Sequence, residues 1–170
     1  EFKKNAGNYI VSHSMLVAEV ACAFAARNEY YSDLTCQKLI YAGLFHDVTL
    51  KCHALAKAKS LEEVKNNKEL LLLESLDDYI AHPVRAAMIL QEVGNIPPDV
   101  GVIVSQHHEK PDGTGFPDGL DAKQLAPLTC IFILAHEFVH YLQETPVGSS
   151  MADFLSKTAG AYSVGPFKKL

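Results

Sequence analysis

The stretch "VSHSMLVAEVACAFAAR", residues 11–27, repeats apolar side chains at helical spacing, is rich in Ala, Leu and Val, and holds one histidine, His13. Its pattern predicts a helix from about Asn5 to Arg27. The same period returns down the chain. Ser32 or Asp33 caps a second helix, "LTCQKLIYAGLFHDV", which runs into His46 and Asp47. "LDDYIAHPVRAAMILQEVG" reads as a helix ending at Gly94, disturbed early by His82-Pro83 because proline removes a donor. Pro97 and Pro98 open "DVGVIVSQHHE". "LAPLTCIFILAHEFVHYL" is a strongly apolar helix, and "MADFLSKTA" with a short "GPFKKL" piece closes the chain. Residues 48–73 are less regular and predict one short helix with a mobile approach. Pro111, Gly113, Gly115, Pro117 and Gly119 exclude an element between them. With no repeats and little strand signal, the expected fold is all-α, a helical bundle.

At 170 residues, 48% hydrophobic and 21% charged, the chain suits a single globular domain spanning 1–170. A net charge of -5 argues against broad binding to nucleic-acid duplexes or anionic membranes. An anionic substrate would need local positive charge, from a few Lys and Arg or from metal. Cys22, Cys36, Cys52 and Cys130 are scattered without a C-x-x-C pair, which predicts reduced thiols and a cytoplasmic setting. No apolar run is long enough to span a bilayer, and no signal peptide is visible. The chain opens at Glu1 without an initiator Met. An excised domain, preceded by a sensory or receiver region, is the expectation.

Eight histidines is a generous supply, yet a lone histidine is usually a packed or surface imidazole. Position matters more than number. His46-Asp47 ends one helix, His82 lies on another, His107-His108 end a third, and His13 and His136 sit inside apolar helical stretches. A helical array can gather such side chains from several facing helices. Several imidazoles with one carboxylate suit Fe, Mn, Zn or Ni better than Ca or Mg, and a carboxylate can bridge two ions.

An upstream His, then "HD", "HP", "HHE" and "DGTGFP", in this order, resembles the HD-GYP branch of the HD-domain phosphohydrolases. "LAPLTCIFILAH" and "GAYSVGPFKKL" extend the likeness over nearly the whole chain, most weakly across 48–73. The resemblance implies an all-helical domain that hydrolyses cyclic di-GMP in bacterial signalling. It implies two or three metals; two transition-metal ions are expected here, iron first, with manganese or zinc as alternatives. His13, His46, Asp47, His82, His107 and His108 would be ligands, with His136 at the position of the last one. Asp47 would bridge the ions and hold the metal-bound hydroxide that acts as nucleophile. Gly113, Gly115, Phe116 and Pro117, with Arg85 and Lys110, would meet the substrate, the glycines by bringing backbone close to it. The same loop is a candidate surface for partner proteins.

Four departures from the family pattern predict weakened turnover. Phe116 stands for the usual tyrosine and lacks its hydroxyl. The "HDxGK" segment reads His46-Asp47-Val48-Thr49-Leu50, and Lys51, one residue late, would point elsewhere. His136 replaces an Asp. Tyr9 stands where trinuclear members carry Glu, which favours two metals over three.

Other readings compete. "HEFVH", residues 136–140, matches the H-E-x-x-H pattern of helical zinc proteases with Glu137 as general base. The pattern is short, and "MADFLSKTAG" offers only Asp153 as a third ligand. This reading therefore yields to the ordered set, which leaves His140 for packing or outer hydrogen bonding and Glu137 off the metal. A metal-loaded but inactive module, sensing cyclic di-GMP or docking a partner, is the stronger rival; a plain helical scaffold is the third. Glu109 reads equally as a support for the histidines or as a solvated helix end. His53 is expected to be exposed, and Asp112 to order its turn.

Overall fold

A computed structural model of the chain describes residues 9–58, 60–145 and 150–169. The opening apolar stretch forms α1 (Tyr9–Arg27); the expected start at Asn5 lies outside the described residues. Ser32 caps α2 (Asp33–Phe45), its side chain accepting from the Thr35 amide. Residues 48–73 carry three short helices rather than one: α3 (His53–Ala56), α4 (Leu61–Asn66) and α5 (Lys68–Leu73). Ser60 and Asn67 cap the latter two, so a cap residue every few positions breaks the stretch into single turns. His53 is half-buried at the start of α3 and not exposed as expected.

Ser75 caps α6 (Leu76–Val93), which ends at Gly94 with φ +70°. It runs unbroken through Pro83, contrary to the expected disturbance. Pro97 precedes α7 (Pro98–Ser105). Then come the loop, α8 (Pro127–Glu144), α9 (Met151–Tyr162) with a Ser150/Asp153 capping box, and a closing 3-10 turn, Gly165–Lys169. Among the described residues the extended structure is an isolated bridge between Asp112 and Asp121. The domain is all-α.

Helix α1 packs on both α2 and α8, and α7 joins α6 to α2. Gly43 makes the α1–α2 approach possible: a Cβ there would stand 2.7 Å from Ala18 Cβ. The main core is built from Val17, Leu39, Ala86, Ile103, Ile131 and Phe132 with their neighbours, and a second cluster from Leu50, Leu55, Val64, Leu70, Tyr79 and Phe116. Helix α9 docks through Phe154 on Leu134 and Phe138, and the closing turn through Phe167 on Cys130 and Ile133. One expectation needs correcting. With 19 residues, α1 is long and apolar enough, by length and composition, to cross a bilayer. Its Val17, Ala21 and Ala25 are buried in the main core.

Candidate metal centre

Between the two cores lies a knot of imidazoles. His46 is the C-cap of α2 and Asp47 follows it; His107 and His108 come just after α7. His13 comes from α1, His82 from α6, and His136 and His140 from α8. All are buried except His108, which is half-buried. His46 and His107 pack edge-on to Phe132 of the main core, while His108 stacks on Phe116 of the second, centroids 4.4 Å apart.

Asp47 sits at the middle. Its Oδ2 is 3.4 Å from His46 Nε2, and its Oδ1 is 3.5 Å from His82 Nε2 and 3.7 Å from His107 Nε2. Four sets of side chains each bring their ligand atoms within 4.8 Å of one another: Asp47, His82, His107 and His108; His13, His46 and Asp47; His46, His107 and His136; and His13, His136 and His140. Asp47 belongs to two of these, as a bridging carboxylate would.

The tautomers follow from the far side of each ring. His46 Nδ1 donates to the Gly43 carbonyl at 2.9 Å, His82 Nδ1 to Tyr79 at 2.6 Å, and His107 Nδ1 to Val104 at 2.7 Å. Each acceptor lies three residues upstream, in the last turn before the ring. For His46 and His107 it is a carbonyl at a helix C-terminus, where carbonyls lack amide partners. For His82 it is the carbonyl that residue 83 would have bonded, and residue 83 is proline. His13 Nδ1 donates to Gln143 Oε1 at 3.1 Å. A neutral imidazole with a proton on Nδ1 carries its lone pair on Nε2. The Nε2 atoms therefore point bare at Asp47, and those of His82 and His107 face each other at 3.4 Å.

Two such lone pairs repel unless a cation lies between them. The Nε2 atoms of His13 and His46 and Oδ1 of Asp47 are also buried without a hydrogen-bond partner. Buried polar atoms left open in this way cost about 1–3 kcal/mol each. Nitrogen lone pairs, one carboxylate and outer carbonyls that fix the rings form a donor set that fits divalent transition metals. The C-terminal ends of α2 and α7, both directed here, add partial negative charge.

Protonation favours the same state. Burial lowers the pKa of His13 to about 3 and of His107 to about 4, and holds His108 and His136 well below the usual imidazole range. Burial alone would raise the Asp47 pKa; positive charge on His46 and hydrogen bonds donated by His107 and His82 outweigh it and hold the carboxyl well below its ordinary value, a part that a cation takes over where the rings present lone pairs instead. His13, His107, His108 and His136, held neutral by burial, are ready for a metal without first losing protons.

The residues expected at the substrate behave differently. Phe116 is buried against His108 and Tyr79, so its ring supports a candidate ligand. Gly115 closes on protein backbone: a Cβ there would fall 2.4 Å from Glu109 Cα and 2.5 Å from the His108 carbonyl oxygen. The glycine expected to approach a ligand thus lets the loop fold onto the histidines, where the Phe116 amide donates to the His108 carbonyl. Gly113 takes φ +77° in the same turn, and the Phe116-Pro117 peptide is cis. Glu109 is buried, and its two oxygens accept from the Asp118 and Leu120 amides at 2.8 Å, so it clamps the loop and is no solvated helix end. Asp112 orders the turn through Thr114, as expected. Arg85 bonds Asp78 at 2.7 Å and Glu74 at 3.0 Å, and Lys51 lies within 4.0 Å of the same two carboxylates. Leu50 is core. Lys110 is half-buried, with the carboxylate of Glu137 in its field.

Sequence reasoning set His140 aside, yet its ring lies 4.6 Å from His136 and 4.8 Å from His13. The four-residue spacing within "HEFVH" was the available signal. Gln143, one turn further on, also went unread.

The comparisons with known proteins come down on the HD fold. The sequence model of the HD domain matches residues 9–154. No curated protein matches the chain. Among solved structures it resembles Bd1817, an HDG"Y"P protein from Bdellovibrio bacteriovorus, at a TM-score of 0.70 and 21% identity, over 97% of this chain and 52% of that one. This chain thus spans about half the length of that protein, and at such identity the likeness is one of fold. With the HD pair just past the C-terminal end of α2 at the heart of a buried imidazole cluster, and the HD-domain match running from α1 into α9, the chain belongs to the HD-domain family.

Proposed function

We propose that this domain is a metal-dependent phosphodiesterase of HD-GYP type, slow in turnover, acting on cyclic di-GMP in the cytoplasm. The family and the donor cluster together support a metal-dependent hydrolase. One observation carries it: bare Nε2 atoms from separate helices converge on one buried, ionised carboxylate. Asp47, His82, His107 and His108 would hold one ion; His13, His46 and Asp47, with His136, would hold the other. Iron is the first choice, with manganese or zinc as alternatives. Bound there, two divalent ions supply Lewis acidity toward a phosphodiester and make a water acidic enough to attack at neutral pH.

The chain's own part is orientation. The carbonyls of Gly43, Tyr79 and Val104 fix three rings, Phe116 steadies His108, and Asp47 offers an oxygen to each side. Half-buried His108 marks the side open to substrate. Phosphate charge would find little help from side chains, because Arg85 and Lys51 already face Glu74 and Asp78. Losing one donor to developing charge costs about 10²–10³ in rate in other hydrolases, hence the expected slow turnover.

A second reading, a metal-loaded cyclic di-GMP sensor or docking module, draws on the same sequestered Arg85 and buried Phe116. Calorimetry and product chromatography on metal-reconstituted protein separate the two. Binding with slow conversion to linear product supports the enzyme, binding without product supports the sensor, and no binding contradicts both.

A further inference from the structure

His140 is a buried imidazole to which the reading above gives no task. It lies one helical turn after His136 on α8, so both rings project from one face, and His13 of α1 meets them there. One ring nitrogen from each of the three lies within 4.8 Å of the others. His13 is held for this role from behind. Gln143 Oε1 accepts from its Nδ1 and from the Tyr9 hydroxyl at 2.8 Å, and the Tyr9 ring stacks on the imidazole, centroids 5.5 Å apart. Its Nε2 is left buried and without a hydrogen-bond partner.

We propose that His140 is a metal ligand, binding the same ion as His13 and His136. The inference rests on the cluster being a metal centre, as argued above. His13 has one free lone pair, so it serves one ion. The sets His13–His46–Asp47 and His13–His136–His140 are therefore two sides of one ion position, and the ion count stays at two. The two positions then differ in chemistry. Both share Asp47, but the His13 position then holds four imidazoles, His13, His46, His136 and His140, against three at the Asp47–His82–His107–His108 position. Imidazole-rich sites favour Zn, Co, Ni and Fe(II), whereas carboxylate and water suit Mn and Mg. The His13 position should accordingly discriminate against manganese more strongly than the other.

Cobalt(II), whose visible bands report its ligands, is the probe. Metal-stripped wild type, His140→Ala, His140→Gln and a His53→Ala control are titrated anaerobically, followed by visible spectroscopy and elemental analysis. Wild type and control should take two ions per chain. Both His140 variants should keep the first and bind the second at least tenfold more weakly, with altered bands; loss of an outer partner alone costs about 10–100-fold. Competition with manganese should displace cobalt more readily at the second position of the variants than of wild type. Two ions bound as tightly, with unchanged bands, in either folded His140 variant would overturn the proposal and leave the metal centre standing. A wild type that takes no cobalt would overturn both.

Discussion

Asp47 concentrates the chemistry at the scale of single residues. Its two oxygens reach opposite groups of imidazoles, so Asp47→Ala should lose both ions, whereas His82→Ala should keep the His13-side ion. Elemental analysis of the two variants checks this, and equal retention in Asp47→Ala would deny it a bridging place. Gly115 tests the loop. Its would-be Cβ meets backbone rather than a yielding side chain, so Gly115→Ala must displace the loop from His108. Overpacking of this kind costs about 1–3 kcal/mol, and a lowered melting temperature with weaker metal binding is the expected outcome. Tyr9→Phe removes one hydroxyl hydrogen bond to Gln143, worth about 0.5–1.5 kcal/mol. Affinity for the His13-side ion should fall with it; unchanged affinity in a metal titration would show that Gln143 orients His13 unaided.

Helices α2 and α7 are terminated by the residues that form the centre. His46 and His107 turn back on the last turns of these helices, so each ring closes its helix and sets its own tautomer at once. On α6, Pro83 does the corresponding work by leaving the Tyr79 carbonyl to His82. Pro83→Ala should therefore stabilise the metal-stripped protein, since proline costs about 3 kcal/mol inside a helix. It should also weaken metal binding, because the new amide competes for that carbonyl. A melt and a metal titration on one sample separate the two effects, and tighter metal binding would contradict the role given to Pro83.

Much of this architecture was legible from period and punctuation. The apolar repeat located α1, α6 and α8, and Ser32, Gly94 and Pro97 marked ends that the structure keeps. What escaped was tertiary. A proline looks like a break until the carbonyl it frees is seen to accept from His82. The caps at Ser60 and Asn67 went unread, and their power to divide 48–73 depends on Val64 and Leu70 reaching the core. The order of HD, HP and HHE pointed to the residues gathered around Asp47. It could not say that Arg85 would turn to Glu74, or that Phe116 would turn inward.

Across the whole molecule, burying so many imidazoles ties stability to pH. His13 and His107 have pKa values lowered to about 3 and about 4, so the unfolded chain takes up protons near the ordinary imidazole value while the folded one does not. Stability of the metal-stripped protein is then complete above about pH 6.5 and falls as pH drops toward 4, by about 1.4 kcal/mol per pH unit for each fully linked imidazole. Protonation of Asp47, whose pKa is also depressed, extends the loss in the same direction below its ordinary value near 4. Denaturant melts between pH 8 and 4 should show this slope, and bound metal should steepen it, because protons then compete with the ions. A stability independent of pH over that range would mean that the rings are not buried neutral. The most direct measurement is the metal content of protein purified without chelator or affinity-resin metal, then loaded anaerobically with ferrous ion. Two ions per chain in the wild type and none in Asp47→Ala is the expected result. No stoichiometric metal in the wild type, or full retention in Asp47→Ala, would contradict a metal centre built on Asp47.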